Sequence, residues 1–247
     1  MEISLNKYIS DSGFCSRREA DKYIEQCRVT INGQDAVKGN RVKLGDDVRV
    51  DGQKVKAKQS SQAIYIALNK PKGITCTTEK TDKTNIVDFI NHKQRIFPIG
   101  RLDKLSEGLI FLTNDGDIVN KILRAGNNHE KEYVVMVDKA ITQDFITKMR
   151  NGVKILGTTT KPCFVKQEAD NRFKIILVQG LNRQIRRMCE ALGYRVTALK
   201  RIRIMNFTLN NLAPGKWRYF TPLEIQNIQQ MLEDSSKTGD VDGGMGE

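Results

Sequence analysis

Two side chains that could carry chemistry, Arg101 and Asp103, stand two positions apart in a polar stretch that Gly100 and Gly108 bound. Apolar residues precede this stretch and an apolar run, 109–112, follows it. The pattern therefore predicts a loop between two strands. Loops on a rigid scaffold often hold functional side chains. The alternative is a turn without function. Features elsewhere in the chain are needed to choose between the two interpretations.

A carboxylate that attacks a substrate must be ionised and held in place. A neighbouring guanidinium favours the ionised form and fixes the carboxylate by forked hydrogen bonds. The chain offers guanidinium groups in a predicted helix over 182–192. We predict that Asn182 caps its start and Gly193 its end.

At about 100° per residue, this helix has one arginine-rich face, with Arg183, Arg186 and Arg187. The opposite face is apolar and consists of Ile185, Met188, Cys189 and Leu192. Solvated faces usually mix the signs of their charges, so phosphate binding is the preferred interpretation and a solvated face the alternative. The segment 200–203 adds three more basic residues downstream.

The composition limits the possible functions. The chain has 247 residues and a net charge of +12, which indicates a polyanionic partner, nucleic acid first and an acidic membrane second. The charge is concentrated in 161–203, with 11 Lys+Arg against 3 Asp+Glu. Five cysteines without a C-x-x-C spacing indicate neither a disulfide framework nor a zinc site. We find no membrane-length apolar run and no signal peptide, so we expect a cytoplasmic protein.

The first 60 residues predict a small separate domain. Ser16 and Glu19 have the spacing of a capping box, and the apolar positions that follow recur at helical spacing. A short helix is expected over 5–9, and strands over 29–33 and 47–52, the first ending in Asn-Gly. Arg17, Arg18 and Lys22 lie off the apolar stripe. The two arginines are in the first turn of the helix, and helix N-termini bind anions. The polar segment 54–62 is predicted to be a linker.

The remainder, 63–232, predicts a second domain of the α+β class with a mixed, mostly antiparallel sheet. Its strands are expected over 63–68, 131–138 and 172–179, and its helices over 85–90, from 114 to a cap at Gly126, and around Phe145 and Met149. A cation-rich turn spans 69–73. We expect the acidic, glycine-rich tail, 233–247, to be disordered.

Residues 1–60 resemble the RNA-binding module named after ribosomal protein S4. The resemblance rests on Leu-Asn-Lys-Tyr-Ile at 5–9, Gly-Phe-Cys-Ser-Arg-Arg-Glu-Ala-Asp at 13–21 and Val-Thr-Ile-Asn-Gly at 29–33. It implies RNA binding through Arg17, Arg18 and Lys22.

Four ordered motifs resemble the bacterial ribosomal-RNA pseudouridine synthases of the RsuA branch. They are Asn-Lys-Pro-x-Gly at 69–73, Gly-Arg-Leu-Asp-x-x-Ser-x-Gly-Leu at 100–109, Lys-Glu-Tyr at 131–133 and Asn-Arg-Gln-Ile-Arg-Arg-Met at 182–188. Gln-Gly-Leu at 179–181 replaces the Glu-Gly-Arg or Glu-Gly-Lys of many members. This variant looks most like a member that acts on large-subunit RNA.

The resemblance implies that a uridine is flipped out, its glycosidic bond is broken, the base rotates, and C5 rejoins the ribose C1′, without cofactor or metal. Asp103 would begin the cleavage, Arg186 would pair with it, Tyr133 would stack on the uracil, Arg101 would fill the gap that the uridine leaves, and Leu177 would support the site. The implied RNA-binding residues are Arg17, Arg18, Lys22, Lys70, Arg101, Leu102, Lys104, Arg183, Gln184, Ile185, Arg186, Arg187, Arg203, Ile204, Met205 and Asn206.

The expected partner is ribosomal RNA, with transfer RNA as a second candidate, and the expected state is a monomer. Two alternatives stay open. One is a ribosome assembly factor that binds RNA with an inactive second domain, which has no need of Asp103 and Tyr133. The other is an RNA methyltransferase on the same N-terminal module, although the chain has no glycine-rich nucleotide loop.

Overall fold

The structure is a computed structural model that describes residues 2–56, 63–123 and 128–233. The chain divides into two compact units: the first contains the residues up to Ala63 together with Lys93–Arg95 and Asn114–Gly116, and the second contains the others from Ile64 onward. None of the described helices is long and apolar enough to span a membrane. The predicted cap at Gly126 and most of the predicted tail lie outside the described residues.

The first unit pairs two helices with short strands. Its elements are β1 (Ile3–Ser4), α1 (Leu5–Asp11), α2 (Arg17–Glu25), β2 (Val29–Ile31), β3 (Gln34–Asp35), β4 (Arg41–Val42), β5 (Val48–Val50) and β6 (Gln53–Lys54). The capping box at the start of α2 is present: Ser16 Oγ accepts from the Glu19 amide, and the Glu19 carboxylate accepts from the Ser16 amide. The predicted Asn-Gly turn joins β2 to β3, and both Asn32 and Gly33 have the positive φ of a tight hairpin turn.

The predicted linker begins too early. Lys54 belongs to β6, where it pairs with Arg49 of β5. Val55 is only 3% exposed and packs in the hydrophobic core of the first unit. In the sequence, Val55 stands between Lys54 and Lys56, so this segment looks polar and does not predict a strand. Residues 57–62 lie outside the described part of the chain.

The second unit is built on a large mixed sheet. Its strands are β7 (Tyr65–Lys70), β8 (Phe97–Ile99), β9 (Glu107–Thr113), β10 (Lys131–Val137), β11 (Lys154–Ile155), β12 (Thr158–Thr159), β13 (Phe164–Ala169), β14 (Arg172–Leu177), β15 (Val196–Ile204), β16 (Phe207–Thr208) and β17 (Trp217–Tyr219). Its helices are α3 (Ile86–Ile90), α4 (Gly116–Leu123), α5 (Gln143–Asn151), α6 (Gln184–Ala191) and α7 (Pro222–Met231).

The main sheet runs in the order β13-β14-β10-β15-β9-β7-β17, with β8 added beside β9 and β16 beside β15. Among the strand pairs of the described sheet, β9 and β15 run parallel and the others antiparallel. The predicted α+β class with a mostly antiparallel sheet is therefore confirmed.

Two hydrophobic clusters lie against this sheet. One packs α5 and α6 onto β10, β13 and β14, and the other packs α3 and Leu102 onto β7 and β9. Tyr133 of β10 packs against both clusters. Two segments that are remote in sequence, the loop after β8 and helix α6, are thereby held by cores that share one aromatic side chain.

Helix α6 differs from its prediction at its start. The N-cap is Arg183, in the left-handed region with φ 49°, and not Asn182. The predicted cap at Gly193 is one residue late: the C-cap is Leu192, and Gly193 follows it with φ +77°, a common place for glycine. The apolar face is buried as predicted. Arg186, however, leaves the expected basic face and is buried.

Candidate active site

The loop between β8 and β9, which carries Asp103, is fixed at both ends of its polar part. The Leu102 amide donates to Cys76 Sγ at 3.3 Å, and the buried Leu102 side chain packs in the core. The Gly73 amide donates to the Lys104 carbonyl at 2.8 Å. These contacts hold both neighbours of Asp103, so its position is set by the fold.

Asp103 and Arg186 form an ion pair. Arg186 Nε lies 3.4 Å from Asp103 Oδ2, while Arg186 Nη2 donates to Ser106 Oγ at 3.1 Å and Nη1 to the Val196 carbonyl at 3.4 Å. The expected forked contact to one carboxylate is wrong, because Nε makes this ion pair without a hydrogen bond and the two Nη atoms donate to other groups. The Arg186 side chain is 9% exposed and that of Asp103 is 32% exposed. A buried cation thus faces a carboxylate that solvent or a substrate can reach.

Tyr133 and Leu177 lie on the neighbouring strands β10 and β14. Tyr133 stands opposite Ile175 of β14 and Arg201 of β15, and its ring is half-buried. Leu177 is buried in the same cluster as α6. The structure therefore brings the predicted aromatic and apolar residues into the cores that hold Asp103 and Arg186.

Lys70 does not lie on the surface, where a phosphate contact was expected. It is fully buried, and its Nζ donates to the carbonyls of Pro71 and Ile74, each at 2.9 Å. Burial lowers the pKa of its ammonium, and the charges of Asp103 and Glu107 oppose that change. Lys70 closes the 69–73 turn, and Gly73 of this turn contacts the loop that carries Asp103.

Several other residues that were expected to bind RNA point inward. Each of these residues is 3–7% exposed as a whole, so the apolar ones pack the core and cannot reach a phosphate from this position. They are Leu102, Gln184, Ile185, Arg186, Ile204 and Met205. Arg203 instead forms ion pairs with Glu132 at 2.6 Å and Glu130 at 2.9 Å. The segment 200–203 is a sheet strand, in which alternate side chains face opposite sides, and it does not form a continuous basic strip.

The remaining predicted RNA contacts are accessible. Arg101, Lys104, Arg183 and Asn206 are exposed. Arg187 is partly exposed, and its guanidinium donates to Asn182 at 3.1 and 3.3 Å.

The three cations of α2 differ from most others of the first unit. Arg17, Arg18 and Lys22 are exposed, and no ion pair is seen for them among the described residues. Elsewhere in this unit, the cations that pair with carboxylates are Lys7, Arg28, Lys38, Arg41, Lys43, Arg49 and Lys54. The charge of α2 is therefore available to an external anion.

Sequence reasoning assigned no role to Ser106, Cys76, Lys131 or Arg201. Ser106 and Lys131 were part of the recognised motifs, and Arg201 belongs to the basic segment 200–203, where nothing local distinguishes it from Lys200 and Arg203. Nothing local marks Cys76, because its contact with Leu102 bridges 26 positions. Within the described residues, no group of three or more His, Cys, Asp or Glu side chains is placed to hold a metal ion.

Lys131 gives a prediction for pH dependence. Burial, and then the nearby Arg201 charge, lower the pKa of its ammonium from 10.5 to about 8. Below pH 8 both folded and unfolded chains carry this proton. Between pH 8 and 10.5 only the unfolded chain keeps it, so the parent gains stability as the pH rises.

A Lys131→Met variant lacks this gain. We expect the difference in unfolding free energy, variant minus parent, to fall by on the order of 2 kcal/mol from pH 7 to pH 10. Urea unfolding of both proteins at several pH values measures it. A difference that stays constant over this range would contradict the burial of a charged Lys131.

The comparisons with known proteins agree with this geometry. Residues 64–191 match the family model described as RNA pseudouridylate synthase, and residues 4–48 match the S4 domain. The chain is 59% identical to the dual-specificity RNA pseudouridine synthase RluF of Escherichia coli, over 95% of this chain and 81% of that protein. It is 32% identical to ribosomal large subunit pseudouridine synthase B of Bacillus subtilis, over 93% and 96%.

Among solved structures, a pseudouridylate synthase crystal structure superposes with a TM-score of 0.68 at 27% identity. The match covers 92% of this chain and 99% of that one.

The mixed sheet and these matches define a pseudouridine synthase fold, and the class of protein is an RNA-modifying enzyme. The chain belongs to the RNA pseudouridine synthase family, in its RsuA branch and similar to RluF.

Proposed function

We propose that this enzyme converts a specific uridine of structured large-subunit ribosomal RNA to pseudouridine. The observation that carries the proposal is the Asp103–Arg186 ion pair, with Tyr133 packed against the clusters that contain Leu102 and Ile185. The substrate class rests on the similarity to RluF and to the large-subunit enzyme of Bacillus subtilis. Because RluF is described as dual-specificity, transfer RNA is the second substrate class to test. We further propose that the enzyme acts as a monomer in the cytoplasm.

In the proposed reaction, the Asp103 carboxylate begins cleavage of the glycosidic bond, by attack on either the base or the ribose. Arg186 holds that carboxylate, and its own direction is fixed by Ser106 and Val196. Tyr133 stacks on the uracil while the base rotates, and it accepts or relays the C5 proton after C5 has joined C1′. Leu177 supports the site from the core. These steps need no oxidant or reductant, since uridine and pseudouridine are isomers.

Arg101 is proposed to stabilise the flipped state. A base in structured RNA must leave its stack at a cost of about a few kcal/mol. Arg101 is exposed next to Asp103, and a planar guanidinium can stack on the bases that the uridine leaves behind. Lys104, Arg183, Arg187 and Asn206 would contact the surrounding RNA.

We also propose that the first unit, residues 1–60, binds RNA on its own and that the unit following residue 63 carries the chemistry. The free cations of α2 support the first half of this proposal. The Asp103 site lies wholly within the second unit, which supports the other half.

The overall assignment is tested by incubating the purified protein with a large-subunit RNA transcript, in buffer without added cofactor, and separating the nucleosides. A single new pseudouridine is expected, and its position follows from mapping RNA of a strain that lacks the gene. Binding without conversion would favour an assembly factor instead.

Neutralising α2 should reduce the salt dependence of RNA binding. Each phosphate contact contributes roughly 0.7 to 0.9 to the log–log slope, so replacing Arg17, Arg18 and Lys22 by Gln should lower the slope by about 2 and leave the single-turnover rate at saturation unchanged. Titration of one RNA fragment at several salt concentrations measures this.

The matched control replaces Lys38, Arg41 and Lys43 by Gln in the same unit. It removes the same net charge, but these cations are already paired with Glu25 and Glu2. Its slope should change by less than about half as much. Equal slopes for the two triple variants would mean that net charge alone, and not α2, contacts the RNA.

A further inference from the structure

Arg201 is a buried arginine to which the proposed chemistry gives no task. It lies on β15 and is 4% exposed. Its Nε donates to the Leu109 carbonyl at 2.7 Å, while its Nη2 is buried and has no hydrogen-bond partner among the described residues. A buried charged donor without an acceptor is costly, so its retention calls for a reason other than stability.

One end of this side chain is tied to the catalytic loop. Strands β9 and β15 pair in parallel with Arg201 opposite Gly108, the second residue of β9 after the loop that carries Asp103. A Cβ atom on Gly108 would lie 2.2 Å from the Arg201 carbonyl oxygen, so only glycine permits this approach. The bond to Leu109 then fastens the Arg201 side chain to the next residue of β9.

The other end faces Tyr133. A register shift between Glu132 and Tyr133 breaks the regular pairing of β10 with β15 and leaves Tyr133 opposite Arg201. The Arg201 Cζ atom lies 5.9 Å from the centroid of the Tyr133 ring, within the range of cation–π attraction. One side chain therefore connects the end of the Asp103 loop with the aromatic ring of the site.

The charges around Arg201 support this interpretation. Arg201 acts electrostatically on two other cations, Lys70 and Lys131, and the carboxylates Asp103 and Glu107 also act on Lys70. The polar contacts of Arg201 on the described residues are with a carbonyl and a ring, and none is with a carboxylate. The guanidinium is therefore not neutralised in a salt bridge, and its charge remains available to the Tyr133 ring.

We propose that Arg201 is a positioning residue that fixes the Tyr133 ring relative to Asp103. The inference rests on the proposed function, because it concerns how the ring is held for the flipped uracil. A planar cation suits this task, since its attraction to a ring depends on the relative placement of the two, whereas an apolar side chain would fill the same space without that preference.

Arg201→Gln separates the two contacts. The Gln side-chain amide nitrogen occupies the position of Arg Nε, so it can keep the bond to Leu109, whereas the guanidinium carbon over the ring is lost. We expect at least a tenfold loss in single-turnover rate, with RNA affinity within threefold of the parent. Arg201→Lys, which restores a cation near the ring, should recover part of the rate.

The matched control is Arg150→Gln. Arg150 Nε makes the same kind of bond, to the Val165 carbonyl at 2.8 Å, and Arg150 has no part in the proposed site. This variant should keep the parent rate. If Arg201→Gln has a much lower melting temperature than Arg150→Gln, its loss of rate could come from unfolding, and Arg201→Lys is then the deciding variant. A single-turnover rate of Arg201→Lys well above that of Arg201→Gln supports the proposal, and an equal rate overturns it.

A spectroscopic readout is independent of catalysis. With 3-fluorotyrosine in the full chain, the ¹⁹F signal of Tyr133 is assigned by its loss in Tyr133→Phe. We expect this signal to move by more than its line width in Arg201→Gln and to stay in place in Arg150→Gln. An unchanged signal would overturn the inference, even if the rate falls. If the parent converts no RNA, the proposed function fails, while this signal still tests the role of Arg201.

Discussion

Asp103→Asn is expected to abolish conversion of uridine while RNA binding stays within about threefold of the parent. Asparagine has nearly the same shape but cannot form a carboxylate, so it can neither attack the substrate nor pair with Arg186. Loss of the group that begins a covalent reaction commonly costs about 10⁴-fold or more, equivalent to roughly 5.5 kcal/mol in the activation barrier. The measurement is the single-turnover rate at saturating enzyme.

Asp138→Asn is the matched control. The Asp138 side chain is 30% exposed and pairs with Arg195 at 3.8 Å, so its exposure and partner type resemble those of Asp103. It lies after β10, outside the catalytic loop. We expect the control to retain the parent rate. Turnover by Asp103→Asn near that of the control would exclude Asp103 as the group that starts the reaction.

Arg186→Lys should reduce the single-turnover rate by about 100-fold, or roughly 2.7 kcal/mol, although the charge is kept. The Arg186 guanidinium reaches Asp103, Ser106 and Val196 in three directions from one rigid plane. A lysine ammonium is a single point on a flexible chain and cannot span the three acceptors. The carboxylate would therefore lose its fixed orientation, and binding of RNA should change little.

The control here is Arg195→Lys, whose side chain is 80% exposed, and it should cost nothing measurable. The double variant of Asp103→Asn with Arg186→Lys should be no slower than Asp103→Asn alone, because residues that act as a unit have non-additive effects. A loss below about tenfold in Arg186→Lys would argue that Arg186 only supports the fold.

Local patterns predicted those elements of the fold that carry their own signals, whereas β13, β15, β17 and α7 were not predicted. The capping box of α2, the Asn-Gly turn after β2 and the alternation of β10 each depend on residues close in sequence. The pairing of Asp103 with Arg186 came from the resemblance of the motifs, since 83 positions separate them and no periodic pattern connects such residues.

What sequence reasoning missed depends on burial and on contacts between distant residues. Lys70 and Arg201 look like surface cations in the sequence, yet both are buried because the strands that carry them lie inside the sheet. The predicted arginine-rich face of α6 is also only partly exposed. Arg186 is buried and pairs with Asp103, while Arg183 and Arg187 remain accessible. Side-chain type predicts a charge, and only the fold shows whether that charge faces solvent, a carboxylate or a ring.

If Asp103 begins the isomerisation of uridine in RNA, its carboxylate must be required for turnover but not for binding. Single-turnover assays on one large-subunit RNA fragment compare the parent and Asp103→Asn at concentrations that saturate binding. Chromatography of the digested nucleosides measures pseudouridine. We expect nearly one pseudouridine per fragment with the parent and none with Asp103→Asn at equal RNA occupancy. Pseudouridine formed equally by both proteins, or by neither while RNA is bound, would contradict this expectation.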